Sequence, residues 1–468
     1  MNQKKYGLDL TEGRVSTLLL RFAWPFLVSG IISALYGIVD LFVIGQYNAK
    51  DVISGVSTGT QVINLVYTAT IGIGTGGTVL IGRKIGERDR EGCARSAGTF
   101  LLIGAMLAVF LTAFVLAVRA PLLTLLQTPD GARPSASRYV IYAALGLPFV
   151  VGFNVIGAIA RGLGNSRTPS VIGAIGCFLN IGLDFLLVGK FGMAEVGVAV
   201  ATSISQGATF ILIGAWLLKN KFPFPFTRRD LRLDAGAFRN VFRVGLPLWA
   251  QELLVHVSFM IITGVVNAMG ANESERVVAG ASVGVISKVF TFGGLFPMSI
   301  GNAIATMTAQ NIGAGKRQRA MQALRWGIAF SLMIEVVLLA WCQLAPASIT
   351  GALVKEAEVV SGAAAYLRSF SLDLILISFI FCINAYLSGC GKSSVSMIHS
   401  MLATFALRIP LSILFSRIRG VSLDTQLFDL GLAAPIASLL SIAICVSYVL
   451  WQSKQFRRLE AGFADVGE

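Results

Sequence analysis

Twelve stretches of about twenty or more predominantly apolar residues recur along this chain, and nothing else in it limits the fold so tightly. They fall near 18–46, 52–82, 94–118, 136–160, 170–188, 195–218, 240–268, 277–311, 325–345, 366–388, 395–416 and 429–451. Within a bilayer every backbone N–H and C=O must be satisfied internally, which leaves only helices and closed barrels. Barrel strands alternate in hydrophobicity over about ten residues, whereas these runs are longer and continuous. Charged residues make up only 13% of the 468 positions, against about a quarter in soluble domains. Mean hydropathy is +0.75. The expected fold is therefore an all-α polytopic membrane protein with twelve transmembrane helices.

A formal net charge of +14 would suggest nucleic acid in a soluble protein. Here 26 of the 38 Lys and Arg residues lie in the N-terminal tail and in the even-numbered interspan segments and C-terminal tail that share its side, and ten lie on the opposite side. That asymmetry follows the positive-inside rule and predicts two cytoplasmic termini, a lipid-bilayer setting and no nucleic-acid partner. The N-terminus lacks a short apolar core followed by a small-residue cleavage site, so a removable signal peptide is not expected. Six scattered cysteines suggest neither a disulfide framework nor a metal motif.

The polar interval 219–239, KNKFPFPFTRRDLRLDAGAFR, carries Pro223 and Pro225 and divides the chain into a lobe at 1–218 and a lobe with a short tail at 240–468. Internal similarity supports the division. RFAWP recurs as FRVGLP, RKIGERDREGCA as QNIGAGKRQRA, and RGLGNS as SGCGKS; Gly86 and Gly313 are 227 apart, as are Gly162 and Gly389. The pattern predicts a tandem duplication, two parallel six-helix repeats about an axis along the membrane normal, with a site within or between them around a central cavity.

Asp40 and Asp184 each sit inside an apolar span. A central Asp costs about 2.5–3.5 kcal/mol on insertion scales and normally faces a cavity, a partner or an ion. Asn180 and Asp184 are four apart, hence on one helix face. If the first helix passes close by, Asp40 joins them in a set of oxygens suited to a proton or a hard cation such as sodium. The alternative is that each Asp satisfies a helix bend or a polar neighbour. The repeat argues against it: offset by 227–228, the second half has Arg408 near the position of Asn180 and Ser412 near that of Asp184, while Asp40 falls against apolar residues around Ile262.

Other polar groups at depth are Glu252 and His256, read as a second proton site or a hydrogen-bonded pair; Lys288; Glu335, read as a buried ion pair with Lys288 or Arg408; Asp373, near a span end and open to solvation; and His399, read as packing or hydrogen bonding. The run GIGTGG at 72–77 is not a phosphate loop, since it lies within a span and no Lys-Ser/Thr follows.

Taken together, the proline before LYGIVDLFVIGQ, the glycine-rich second span and the loops RKIGERDRE, RGLGNSRTP and QNIGAGKRQRA resemble the multidrug and toxic compound extrusion family, in particular its DNA-damage-inducible branch. The resemblance covers nearly the whole chain. It implies two six-helix lobes that export organic, often cationic, compounds against proton or sodium. It also implies a cation or proton site at Asp40, Asn180, Asp184 and Thr202, with Na+ possible at all four, and a cavity polar position at Asn154. Tyr36, Glu252 and Asp373 are further cavity candidates, the last two standing in helices that some relatives use for coupling.

The expected function is secondary active export by alternating access, with no cofactor beyond the coupling H+ or Na+, in a prokaryotic inner membrane, by a monomer acting on a small organic substrate. The alternative is a lipid-linked oligosaccharide flippase, which would want a strongly cationic cavity; only Lys288 and Arg408 are basic at depth. A channel is distinguished by flux that does not run uphill. No metalloprotease motif, paired metal-ligand motif or nucleophile elbow suggests an enzyme.

Overall fold

The computed structural model describes residues 7–47, 50–270, 272–418 and 422–464; the side chains of Ile38, Asp40, Leu41 and Lys50, and those from residue 455 onward, lie outside the description. The described residues form helices α1 (Val15–Tyr47), α2 (Lys50–Gly86), α3 (Arg90–Leu125), α4 (Arg133–Gly162), α5 (Arg167–Asp184), α6 (Ala194–Asn220), α7 (Ala235–Asn267), α8 (Glu273–Gly313), α9 (Arg317–Leu344), α10 (Pro346–Leu353), α11 (Ala357–Phe370), α12 (Asp373–Gly389), α13 (Ser393–Leu402), α14 (Ile409–Ser416) and α15 (Leu423–Ala464). π-helical turns follow α5 at Phe185–Lys190 and join α13 to α14 at Ala403–Arg408.

Among the described residues, eleven helical spans are long and apolar enough to cross a membrane, and a bent pair supplies a twelfth. That pair corrects the expectation of an unbroken helix at 366–388. The helical region starts earlier, at Ala357, and α11 meets α12 at 50°. No Pro or Gly marks the break. Instead Gln343 of α9 donates its Nε2 to the carbonyl of Arg368 at 2.6 Å and to Ser371 Oγ at 3.0 Å, satisfying a helix-end carbonyl where the ladder ends.

The chain divides into two compact units. One comprises the N-terminal stretch through Leu253 with Asn302–Trp326 and Ser388–Ser393; the other comprises Leu254–Gly301, Gly327–Leu387 and the stretch from Ser394 onward. In the first unit GIGTGG lies inside α2, and its glycines are explained by helix packing. A Cβ on Gly72 would lie 2.8 Å from the Gly245 carbonyl of α7, and one on Gly76 would clash with the Val241 carbonyl. Gly77 receives the ring of Phe100.

The 227-residue repeat also appears as reciprocal contacts in this unit. A Cβ on Gly86 would strike the carbonyl oxygen of Gln310, and one on Gly313 would strike that of Arg83, residues that are themselves 227 apart. Gly162 and Gly389 behave alike: a Cβ on the first would lie 3.0 Å from Thr78 O, and one on the second 2.7 Å from Ala305 O, again at a 227 offset. The glycines let the ends of α2 and α8 meet backbone to backbone.

Across this end runs the N-terminal segment. Leu8 N donates to Gly164 O at 2.9 Å, and Gln310 Nε2 to Gly162 O at 2.9 Å. Leu10 is fully buried, its N–H donating to Gln310 Oε1 and its carbonyl accepting from Asn311 Nδ2 at 3.0 Å. Lys316 and Arg319 donate to the carbonyls of Thr11 and Gly13. The interval 219–239 is docked rather than loose: Phe224 is buried, Thr99 Oγ1 donates to Arg232 O at 2.8 Å, and Asp234 N donates back to Thr99 at 3.0 Å.

The loop 87–89 shows how α3 starts. Asp89 is its N-cap, accepting from Gly92 N at 2.8 Å, and Lys84 donates to Asp89 at 3.1 Å and to Glu87 at 2.8 Å. The Gly92 amide, then Lys84, hold the Asp89 carboxyl below the ordinary carboxylate range. A carboxylate with a depressed folded value stabilises fully above its unfolded value and loses that contribution as pH falls through the folded one. Asp89→Ala is therefore expected to cost about 1 kcal/mol near neutral pH, and thermal melts should show the difference from wild type shrinking under strongly acidic conditions.

Candidate functional site

In the first unit α1, α5 and α6 pack on one another, and α1 also touches the π-helical turn after α5. The helices α1 and α5 run side by side, their register drifting by only two residues along the contact. Ser29 faces Gly173 and Ser33 Oγ lies 3.8 Å from Cys177 Sγ, both at an offset of 144; further along, Tyr47 packs on Gly189 at an offset of 142. The register puts the backbone of residue 36 level with Asn180 and that of residue 40 level with Asp184. Asp40 thus stands on the adjacent helix at the height of Asp184, with its side chain outside the described residues.

Asp184 is fully buried and Asn180 is 3% exposed. The Asn180 Nδ2 has no hydrogen-bond partner among the described residues. The π-helical turn opens at Phe185, directly after Asp184. Such single-turn wide segments are frequent at functional sites, because they break the regular backbone ladder beside a side chain. Tyr36, half-buried, sits on α1 one turn before Asp40 and makes polar or ring contacts of its own. Thr202 is half-buried on α6. Asn154 on α4 is also half-buried, but its Nδ2 donates to Val150 O of its own helix at 2.9 Å. The structure therefore brings Asn180 and Asp184 into one buried patch beside α1, and occupies the Asn154 amide locally.

The second half of the chain corrects the readings of Glu335 and Asp373. Glu335 forms no ion pair among the described residues: it is fully buried with neither carboxyl oxygen partnered. Neither expected partner pairs with it: Lys288 is exposed on α8, and the Arg408 guanidinium lies 4.8 Å over the Phe259 ring of α7. Asp373 is not solvated; it is 8% exposed, accepts a hydrogen bond from Ser438 and lies within the field of Arg408. Glu252 and His256 are both exposed on α7, and no hydrogen bond joins them among the described contacts. His399 is fully buried between Ser441 Oγ and Asn384 Oδ1, each at 2.7 Å, which is hydrogen bonding rather than ligation. No sequence signal pointed to the Ser438, Asn384 or Ser441 partners, which ordinary hydroxyl and amide residues supply from distant helices.

A many-helix membrane fold with internal repeats and carboxylates buried at depth defines a membrane transporter, not an enzyme. The MatE family model matches residues 25–186 and again 247–414, and the chain belongs to that family. Among its curated relatives, the probable multidrug resistance protein YoeA of Bacillus subtilis is 27% identical over 94% of this chain and 94% of its own. The FAD transporter of Shewanella oneidensis is 25% identical over 93% and 94%. Of the solved structures, an outward-facing multidrug resistance MATE family transporter of the MOP superfamily aligns with a TM-score of 0.88 at 22% identity, covering 96% of this chain and 99% of that one. A MOP superfamily transporter from Pyrococcus furiosus aligns at 0.87 with 21% identity, over 95% and 98%.

Proposed function

We propose that this protein exports small drug-like organic compounds by cation antiport, with a proton or sodium ion held by Asp40, Asn180 and Asp184 and Thr202 nearby on α6. The observation that carries the reading is the α1–α5 register, which sets the backbone of residue 40 level with a fully buried Asp184. Two carboxylates at one height in a low-dielectric bundle repel each other and resist burial together unless a cation neutralises them. Neutralisation is then the switch between the states of an alternating-access cycle, and substrate and cation oppose one another through it. The two repeats, 1–218 and 240–468 joined through 219–239, would be the moving parts, and the protein would act as a monomer in the inner membrane with both termini cytoplasmic.

Multidrug relatives support a drug-like cargo, and one relative is named an FAD transporter, which makes a flavin the second probe to try. The scarcity of deep basic residues speaks against a lipid-linked pyrophosphate. The test is movement of a fluorescent organic cation, and separately of a flavin, in liposomes of the purified protein. Saturable, uphill movement of the organic cation under an imposed proton or sodium gradient is expected. Flux that neither saturates nor runs uphill would replace the carrier with a channel, and movement of neither probe would overturn the drug-like cargo.

A further inference from the structure

Glu335 has no place in the site of the first unit. It lies on α9, is fully buried, and has both oxygens unpartnered among the described residues. Its surroundings can be read from contacts one turn before and two turns after it. Ser331 Oγ meets Cys382 Sγ of α12 at 3.6 Å, and Gln343 bonds to Arg368 and Ser371 at the end of α11. Positions 331, 335, 338, 339 and 342 share one face of α9. Leu338, Leu339 and Cys342 belong to the apolar cluster that includes Phe370 and Leu374. Glu335 therefore enters an apolar layer between α9 and the broken span.

The titratable and charged groups on those elements are Arg317, Arg319, Arg325 and Cys342 on α9 itself, Glu358, Tyr366 and Arg368 on α11, and Asp373, Cys382 and Tyr386 on α12. None supplies a cation in ion-pair contact. Arg368 is exposed, and Asp373 is already served by Ser438 and Arg408. A buried carboxylate without partner costs several kcal/mol. A sodium ion would need several oxygens, and the Ser331 hydroxyl is turned to Cys382. At the 227–228 offset the first half holds Leu107 or Ala108, so the repeat architecture does not require a carboxyl here.

We propose that Glu335 is a second ion-binding site of this transporter, one that takes a proton: it carries the proton in this conformation and gives it to water when the layer between α9 and the α11–α12 break opens. The O–H bond of the carboxyl breaks, water accepts the proton, and a hydrated carboxylate remains. Asp373, which accepts from Ser438 near Arg408, takes no part in the exchange. The site is independent of Asp40 and Asp184, and either can fail without the other.

The test is the number of protons released per substrate bound, read with a pH dye in weakly buffered solution of the purified full-length protein. Glu335→Gln is isosteric with the neutral acid and is expected to fold, bind substrate and release one proton fewer per substrate than wild type. Asp373→Asn is expected to leave the count unchanged. Release from Glu335→Gln equal to wild type would overturn the proposal. If Glu335→Gln does not survive purification, the wild-type protein carries the test: an apolar carbodiimide, which reacts with protonated buried carboxyls, should label Glu335 by mass spectrometry and lose that reaction at alkaline pH. Absence of label from pH 6 to 9 would overturn it equally. Loss of coupling in Asp184→Asn with the Glu335 label intact would separate the two sites.

Discussion

Asp184→Asn is expected to remove uphill export while leaving the protein folded in the membrane. One coupled proton under a pH difference of about one unit sustains about a tenfold substrate gradient, because one pH unit corresponds to about 1.4 kcal/mol. With the amide in place the side chain is permanently neutral, so the cation has nothing to neutralise and the substrate ratio should fall to about one. Size and burial are nearly conserved in this change, and Asp184 is fully enclosed, so an effect on transport without loss of expression separates chemistry from packing. Retained tenfold accumulation in the variant would remove Asp184 from the coupling site.

The second large effect concerns two glycines one turn apart on α2. Gly86→Ala is expected to destabilise strongly, because its new methyl would occupy the carbonyl oxygen of Gln310 and backbone cannot step aside as a side chain can. Overpacking of this kind costs about 1–3 kcal/mol or more. Gly313→Ala should match it, since that methyl meets Arg83 O in the reciprocal contact. Gly82→Ala should do the opposite: the nearest atom to its methyl is Ala309 Cβ at 3.4 Å, an ordinary contact, and Ala in a helix is favoured over Gly by about 1 kcal/mol. Thermal melts of the detergent-solubilised protein would read all three. Equal melting of Gly86→Ala and Gly82→Ala would contradict the backbone seam between α2 and α8.

The helices themselves were legible, because burial in lipid demands long apolar runs and the chain writes them plainly. The duplication was legible too, and the 227 offset that relates Gly86 to Gly313 in the sequence is the same offset that relates the residues each glycine touches. The break between α11 and α12 was not, since Gln343 meets it from another helix and neither Pro nor Gly marks the position. Nor was the N-terminal segment, whose attachment to Gly164, Gln310, Asn311, Lys316 and Arg319 runs largely through backbone groups that carry no sequence signature. Nor was the docking of the interval 219–239, in which proline and charge dominate the composition while alternate phenylalanines anchor it.

Within the candidate sites the same division holds. Carboxylates inside apolar spans stand out from sequence alone, so Asp184 was singled out, while Glu335 was read as half of a buried ion pair. Opposite charge alone was a poor guide to partners: Glu335 was matched to Lys288 or Arg408, but Lys288 is exposed and the guanidinium lies over the face of Phe259 on α7. Pairing at depth depends on which helix faces align, and a single sequence gives spacing along one helix and not between two.

The most direct measurement is cation binding by the purified protein itself. Proton release and radioactive sodium binding would be followed in wild type, Asp40→Asn and Asp184→Asn, with and without an organic-cation substrate. One cation fewer displaced per substrate in each variant than in wild type, with only the Glu335 proton still released, is the result expected. Undiminished, substrate-sensitive cation binding in both variants would contradict the assignment of the coupling site to the first half of the chain.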